Sequence, residues 1–388
     1  MNKPKILVVT THPIQYQVPL FADLAKTNNL HVLFLTNGIS SDLNSSSFNV
    51  NFDWDIPLFN GYEYSFANNI SKNPSPNTKE GIVIENAVEL LGQHNPSVII
   101  LFGWYTKAHR QIIKASRRMQ IPIIFRGEST MIMESSRLKS LIKKVYFPNF
   151  LNKFSHFLSV GKENEKFYLH YGVEQKKITL APYSINTPLF EYEYAKISHE
   201  SQNDAICIGF SGKFIEKKRP LDLIQAVSKS RFSQQIKLIM VGDGVLLKEA
   251  KELVKKLGIS AEFKGFLNQS EIVTEGYGNM DALVLPSGDY ETWGLVVNEA
   301  MTGGIPAIVS NKVGSHTDLI DETTGFTFES GNIDDLAEKI NKLCENMSND
   351  FPYKDNVLKK IEKYSLKNTV TGFNLAIKQV LRDYPIKY

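Results

Sequence analysis

Short apolar runs rich in Val, Ile, Leu and Phe alternate with helical patterns along almost the whole chain. Parallel strands need a crossover segment between them, so this alternation specifies βαβ units and an α/β fold with parallel sheets. In the first half, Lys5–Thr10, Leu30–Thr36, Ser97–Phe102, Pro122–Arg126, His156–Val160 and Ile178–Ala181 read as strands. Helical patterns fit between them at Tyr16–Lys26, Lys79–Gly92, Lys107–Met119, Arg137–Lys153 and Lys162–Tyr171. Asn37–Pro76, rich in Asn, Ser and Pro, reads as a long loop with a short strand near Tyr62–Phe66.

The pattern lapses over Tyr183–Asp204, which has no core stripe and reads as a linker. A second alternation follows: strand Ala205–Ser211, helix Pro220–Lys229, strand Ile236–Val241, helix Val245–Leu257, strand Ala261–Gly265 and helix Gln269–Tyr277. Strand Ala282–Leu285, a helix carrying Glu299, strand Ala307–Val309 and helices Asp334–Glu345, Lys354–Lys363 and Leu366–Leu381 complete it. A chain of 388 residues exceeds one ordinary core. The expectation is therefore two doubly wound, Rossmann-like domains, 1–182 and 205–365, joined by a linker over 183–204 and facing across a cleft. Residues 366–388 form a closing helix. Ligands belong at the carboxyl ends of the strands.

Composition narrows the class. Apolar content of 42% and charged content of 22% fit a soluble globular protein. The amino-terminal run is too closely flanked by charge and Pro for a signal peptide, and no run of eighteen apolar residues suggests a membrane span. Cys207 and Cys344 form neither a zinc spacing nor a disulfide framework, which fits a reducing cytoplasm. A net charge of +3 does not argue for nucleic acid, and none is expected as a partner. The charge is uneven, with 20 Lys/Arg against 13 Asp/Glu over residues 1–190 and 24 against 28 over the rest. A basic first half suits an anionic partner; the alternative is drift of surface charge.

The stretch Val284–Ala307 carries the densest chemistry. An apolar strand ends in Pro286-Ser287, Glu291 precedes a Trp293-Gly294 turn, and a helix then carries Glu299 and stops at Gly303-Gly304-Ile305-Pro306. This puts a carboxylate on each side of a helix N-terminus, whose free N–H groups and dipole suit a phosphate. Phe210-Ser211-Gly212-Lys213-Phe214 and Glu216-Lys217-Lys218-Arg219-Pro220 end one strand and open one helix. Gly212 allows close backbone approach, and Lys213 and Lys218 bring compact cations; a solvated basic turn is the bland alternative. Val241-Gly242-Asp243-Gly244 and Phe263-Lys264-Gly265-Phe266 end two more strands, which ordinary strand termination would also explain.

In this order, SGKFIEKKRP, VGDGVLLKEA, FKGFL, LPSGDYETWGLVVNEAMTGGIPAIVS, VGSHTDLI and TGF resemble glycosyltransferase family 4, of GT-B fold. The family's pair of glutamates separated by seven residues is met by Glu291 and Glu299. The resemblance is close over about 156–345 and looser before that. It implies that Glu291 binds hydroxyls of a donor sugar and that the amides of Trp293, Gly294 and Leu295, beside Thr292, approach its sugar and phosphates. Glu299 would accept from the ribose, and Lys213 and Lys218 would neutralise the diphosphate with Gly212 and Gly242 nearby. Gly265 and Phe266 would meet the base through main-chain atoms. Lys213 departs from the commoner Arg, keeping the charge but losing the bidentate fork. The resemblance further implies a retaining enzyme without a required metal or other cofactor. Its donor would be a nucleotide sugar, more often UDP-linked, and its acceptor a glycan or lipid-linked glycan of the cell surface. It also implies a final helix that returns to the first domain.

In the first half, Thr10-Thr11-His12-Pro13-Ile14-Gln15-Tyr16-Gln17 departs from the family's Gly-Gly turn and resembles a subset with a His-Pro-Ile-Gln-Tyr signature. His12 at this strand end either meets substrate or is a capping or buried histidine. Phe125-Arg126-Gly127-Glu128-Ser129 has Gly127 where some relatives carry a His, leaving Glu128 or Arg126 as substitutes. Trp104-Tyr105 either stacks on a sugar or packs. The basic, aromatic-rich stretch 137–153 suits peripheral contact with the inner membrane surface; otherwise it is a core helix with a solvated face. Two other functions share these motifs: a GT-B sugar-nucleotide epimerase and a non-catalytic nucleotide-binding scaffold.

Overall fold

Strands that are apolar on both faces need cover on both, and this chain builds such a sheet twice. The computed structural model describes residues 3–37, 57–132, 137–197 and 205–385, without the side chains of 137–140. The described residues form two units, 3–37 with 57–183 and 366–385, and 184–197 with 205–365. Residues 38–56 of the long polar loop lie outside the described residues.

The first unit runs β1 (Lys5–Thr10), α1 (Val18–Thr27), β2 (Asn29–Phe34), β3 (Glu63–Phe66), α2 (Ala87–His94), β4 (Val98–Phe102), α3 (Lys107–Arg118) and β5 (Ile123–Arg126). It continues with α4 (Arg137–Leu151), β6 (His156–Ser159), α5 (Lys162–His170) and β7 (Ile178–Leu180). Its strands are parallel in the order β3-β2-β1-β4-β5-β6-β7, and the central β4 is buried at every residue. Helix α3 buries Ala108, Ile112 and Ala115 and exposes Arg110, Lys114 and Arg117.

The helix expected over Lys79–Gly92 starts only at Ala87. Asn69 binds the carbonyl of Gly81 and the N–H of Val83, drawing that segment into a bridge between Asn69 and Ile84. The Asn86 side chain then caps α2 by accepting from the Glu89 N–H.

The second unit opens with α6 (Thr187–Ala195), a helix inside the stretch expected to be a linker. It buries only Phe190, so it leaves no periodic stripe to read. The unit continues with β8 (Ile206–Ser211), α7 (Pro220–Lys229), β9 (Ile236–Val241), α8 (Leu247–Leu257), β10 (Ser260–Gly265), β11 (Ala282–Leu285) and α9 (Leu295–Thr302). Then come β12 (Ala307–Ser310), α10 (His316–Leu319), β13 (Gly325–Phe328), α11 (Ile333–Ser348) and α12 (Tyr353–Ile361). The six strands are parallel, ordered β10-β9-β8-β11-β12-β13.

Other elements of this unit also differ from the sequence reading, the short α10 among them. Strand β13 was not expected, because four residues after a Thr-Thr-Gly turn show too little periodicity. The helix expected over Gln269–Tyr277 is a widened turn, Ile272–Gly276, followed by a tight one, Tyr277–Asn279. Gly276 and Gly278 lower the cost of leaving regular helix there. Beyond α12, the last helix, α13 (Leu366–Asp383), belongs to the first unit.

Candidate active site

In the second unit the strand order reverses between β8 and β11. Loops leaving such neighbours diverge and open a crevice at the carboxyl ends. Here the loops are 212–219 and 286–294, tied together where the Gly288 N–H donates to the Lys217 carbonyl at 2.8 Å.

Glycines make the shelf beneath them. The Gly212 N–H donates to the Val241 carbonyl at 3.0 Å and the Gly242 N–H to the Gly265 carbonyl at 2.7 Å, so Gly212, Gly242 and Gly265 continue β8, β9 and β10 side by side. Gly242 has φ of 125°, and a Cβ there would stand 1.9 Å from the Gly212 carbonyl oxygen. Only glycine permits this approach. Gly265 has φ of 71° and open space beside it, and Phe266 follows, half-buried.

Glu291 stands at the crevice with Lys218. Its Oε2 lies 2.5 Å from the Lys218 Nζ, and the two side chains are only 11% and 16% exposed, so solvent screens the pair weakly. The loop holding Glu291 is pinned from behind. Glu291 bridges Val313 in parallel, the Gly314 N–H donates to the Glu291 carbonyl at 2.9 Å, and the Ser315 N–H donates to the Trp293 carbonyl at 3.2 Å. A Cβ on Gly314 would meet the Thr292 carbonyl at 1.8 Å, which keeps the two loops in contact.

Burial pushes Glu291 up, but the charge and hydrogen bond of Lys218 and the charge of Lys217 outweigh it and hold the carboxyl below its ordinary range. Lys213 lies on the same loop. Burial and the charges of Lys218 and Lys217 pull its ammonium below the ordinary lysine range. Lys217 is lowered chiefly by burial, against the attraction of Glu291. Two ammonium groups, Lys218 and Lys217, act on one carboxylate and a third, Lys213, feels both of them, so positive charge is in excess here and attracts a further anion.

Gly294, with φ of 89°, caps α9 without a side-chain hydrogen bond, leaving the helix entrance to its main chain. Trp293 itself is buried: its Nε1 donates to Asn298 at 2.8 Å and its ring meets Tyr364. The indole is therefore turned into the core, and the Thr292 and Trp293 carbonyls face the 313–315 loop.

Glu299, one turn into α9, is held by residues the sequence reading did not single out. The buried Tyr277 hydroxyl donates to its Oε2 at 2.5 Å and lies 3.2 Å from Ser211, while Tyr194 donates to its carbonyl at 3.0 Å. Burial pushes Glu299 above the ordinary carboxylate range, against the hydrogen bond of Tyr277 and the charge of Lys218. Tyr277 carries no local signal in the sequence, because it reaches Glu299 only through the tertiary fold.

His12 and Glu128 fall in the other unit, after β1 and β5. His12 is partly buried, which pulls its pKa down, and its Nδ1 has no hydrogen-bond partner among the described residues; the same holds for Gln15 Oε1. Glu128 accepts a hydrogen bond from Tyr183, whose ring meets Tyr16 edge-on at 5.8 Å. Arg126 is buried rather than presented. It donates to the Ala181 carbonyl at 2.7 Å and lies over the rings of Tyr183 and Phe373 at 5.3 and 5.0 Å. Burial draws it down to about 10, against the charges of Glu128, Tyr168 and Tyr16. Trp104 packs on Tyr146, Phe147 and Phe150 of α4, so packing accounts for this side chain.

Residues 193–371 match the family model described as Glycosyl transferases group 1. Among curated proteins, the chain is 32% identical over 130 residues to the sulfoquinovosyl transferase SQD2 of Arabidopsis thaliana, covering 32% of this chain and 24% of that protein. It is 28% identical over 203 residues to the capsular polysaccharide biosynthesis glycosyltransferase CapM of Staphylococcus aureus, covering 49% of each. The chain thus spans about half or less of the length of these curated relatives. Among solved structures, HepE of Anabaena in complex with UDP superposes with a TM-score of 0.71 at 16% identity, over 97% of this chain and 100% of that one. At that identity the likeness is one of fold, and the fold is the paired Rossmann-like α/β domains of GT-B proteins.

Proposed function

We propose that the protein is a retaining family 4 glycosyltransferase. In this reading it moves a hexose from a UDP-linked sugar to a glycan or lipid-linked glycan acceptor in cell-surface polysaccharide synthesis, and belongs to the subset with the His-Pro-Ile-Gln-Tyr signature. The observation that carries this reading is the weakly exposed Glu291–Lys218 pair at the β8/β11 switch point, beside a glycine-capped helix entrance. A diphosphate arriving there brings the anion that Lys213, Lys217 and Lys218 attract. It takes Lys218 from Glu291 and leaves that carboxylate to accept hydrogen bonds from sugar hydroxyls.

In the transfer step, the bond between the anomeric carbon and the diphosphate oxygen breaks and its electron pair leaves with the diphosphate. The acceptor hydroxyl bonds to that carbon on the same face, and its proton passes to the departing phosphate. Negative charge grows on the leaving group beside the lysines and the α9 amides, where fixed positive ends stabilise it. Glu299 takes the ribose hydroxyls, and the main chain at Gly265-Phe266 meets the base. The loops bearing His12 and Glu128 serve the acceptor. No metal is assigned to the step.

A thermal-shift screen of nucleotide sugars tests donor choice, since a ligand at 100 times its Kd adds about 2.7 kcal/mol. With the donor so found, Glu291→Ala is expected to lower kcat/KM for transfer by about 10²–10³-fold. Unchanged transfer by that variant would favour a scaffold. Epimerised donor formed without any acceptor would favour an epimerase.

A further inference from the structure

Helix α4 shows two apolar faces. One packs inward through Phe147, Phe150 and Leu151, which are buried. The other points to solvent, with Leu141 and Ile142 61% exposed and Val145 69% exposed. The spacing of 141, 142 and 145 puts these three on one stripe. The inward face fixes the helix, so the outward stripe does not come from loose packing. Solvated apolar side chains in such a contiguous stripe mark a surface that binds something.

The surroundings say what. Over residues 107–118 and 141–153, spanning α3 and the described side chains of α4, there are eight Lys/Arg and no Asp/Glu. Among the described residues only Lys107 of these makes an ion pair, with Glu80. Between the helices runs a groove of about 400 Å³, lined by Arg110, Lys114, Arg117 and Lys153 with Ile113 and Phe150. Nucleic acid would use the cations but gives aliphatic side chains nothing to bury against. A second copy docking on the same patch would set like charges against each other. An anionic bilayer satisfies both sets at once, with headgroups for the cations and acyl chains for the stripe.

We propose that the α3–α4 face docks the protein on an anionic lipid bilayer. Among the described residues no helix is long and apolar enough to cross a membrane, so the contact is peripheral. The proposal does not rest on the transferase reading.

The test is flotation of the full chain with vesicles of phosphatidylcholine alone or mixed with phosphatidylglycerol. Binding is expected only with the anionic lipid and should weaken with added salt. The variant L141Q/I142Q/V145Q keeps the charge and should lose binding at least tenfold. K114Q/R117Q should lose roughly 25-fold, about fivefold per cation. All substituted positions are exposed, and a circular dichroism melt of each variant checks that it folds like wild type. Equal binding to neutral and anionic vesicles, or wild-type binding by the triple glutamine variant, overturns the proposal. So does a dimer in light scattering that the triple variant abolishes while wild type ignores vesicles.

Discussion

Glu291 and Lys218 are counter-ions to each other, and Glu299 of α9 forms a second hydrogen-bonded pair with Tyr277 of the turn before β11. The Tyr277 hydroxyl occupies one carboxylate oxygen of Glu299 and so orients the other. Tyr277→Phe removes this hydrogen bond to a charged group, worth about 1.5–3 kcal/mol. The expected outcome is a donor KM raised roughly tenfold with kcat little changed, measured in initial-rate kinetics. The pH profile gives a second reading. Burial raises Glu299, so donor affinity should fall on acidification at a pH above the ordinary carboxylate range. Tyr277 favours the charged form, so its loss should move that acid limb to higher pH. Glu291 is shifted the other way. Its depressed pKa contributes stability that is present above the ordinary carboxylate range and lost as pH falls through the lowered value. The spacing of Glu291 and Glu299 could be read from sequence because seven residues and a helix start are local facts. The partner of Glu299 could not, since Tyr277 is 22 residues away and reaches it through an irregular double turn.

At the scale of elements, the strand ends and their glycines were the legible part. Apolar runs followed directly by Gly mark the ends of β4, β5, β8 and β9, while β1, β3, β7 and β12 stop without one. What escaped were elements shaped by contacts from elsewhere: α6, held by the buried Phe190 and by the hydrogen bond of Tyr194 to Glu299, the short β13, and the shortened start of α2. The shelf of Gly212, Gly242 and Gly265 yields a prediction of its own. Gly242→Ala places a Cβ against the Gly212 carbonyl at a backbone angle unfavourable to L-residues. It should cost about 1–3 kcal/mol in a urea melt and abolish the thermal shift given by a nucleotide sugar. Gly258→Ala, at the end of α8 with nothing within 4 Å of its Cβ, shares the strained angle without the clash and should keep that ligand response.

At the scale of the whole molecule, the basic balance of the first half has a concentrated source in α3 and α4, which composition alone could not locate. The first unit also depends on the far end of the chain. Phe373 of α13 is fully buried, stacks on Phe102 at 5.9 Å and lies beneath the Arg126 guanidinium. Thr369 donates to the Pro182 carbonyl at 2.7 Å, and a Cβ on Gly372 would stand 2.3 Å from the Leu180 carbonyl oxygen. Phe373→Ala should destabilise this unit by about 3–5 kcal/mol, seen as a separate early transition in urea while the second unit holds.

Helix α13 also reverses the order of assembly on the ribosome. Domains commonly fold as they emerge, amino-terminal first. Here every residue of the second unit is translated before the helix that covers Phe102 and Arg126 exists. The unit begun first is therefore finished last, and until then the sheet face that α13 shares with α1 is only partly covered.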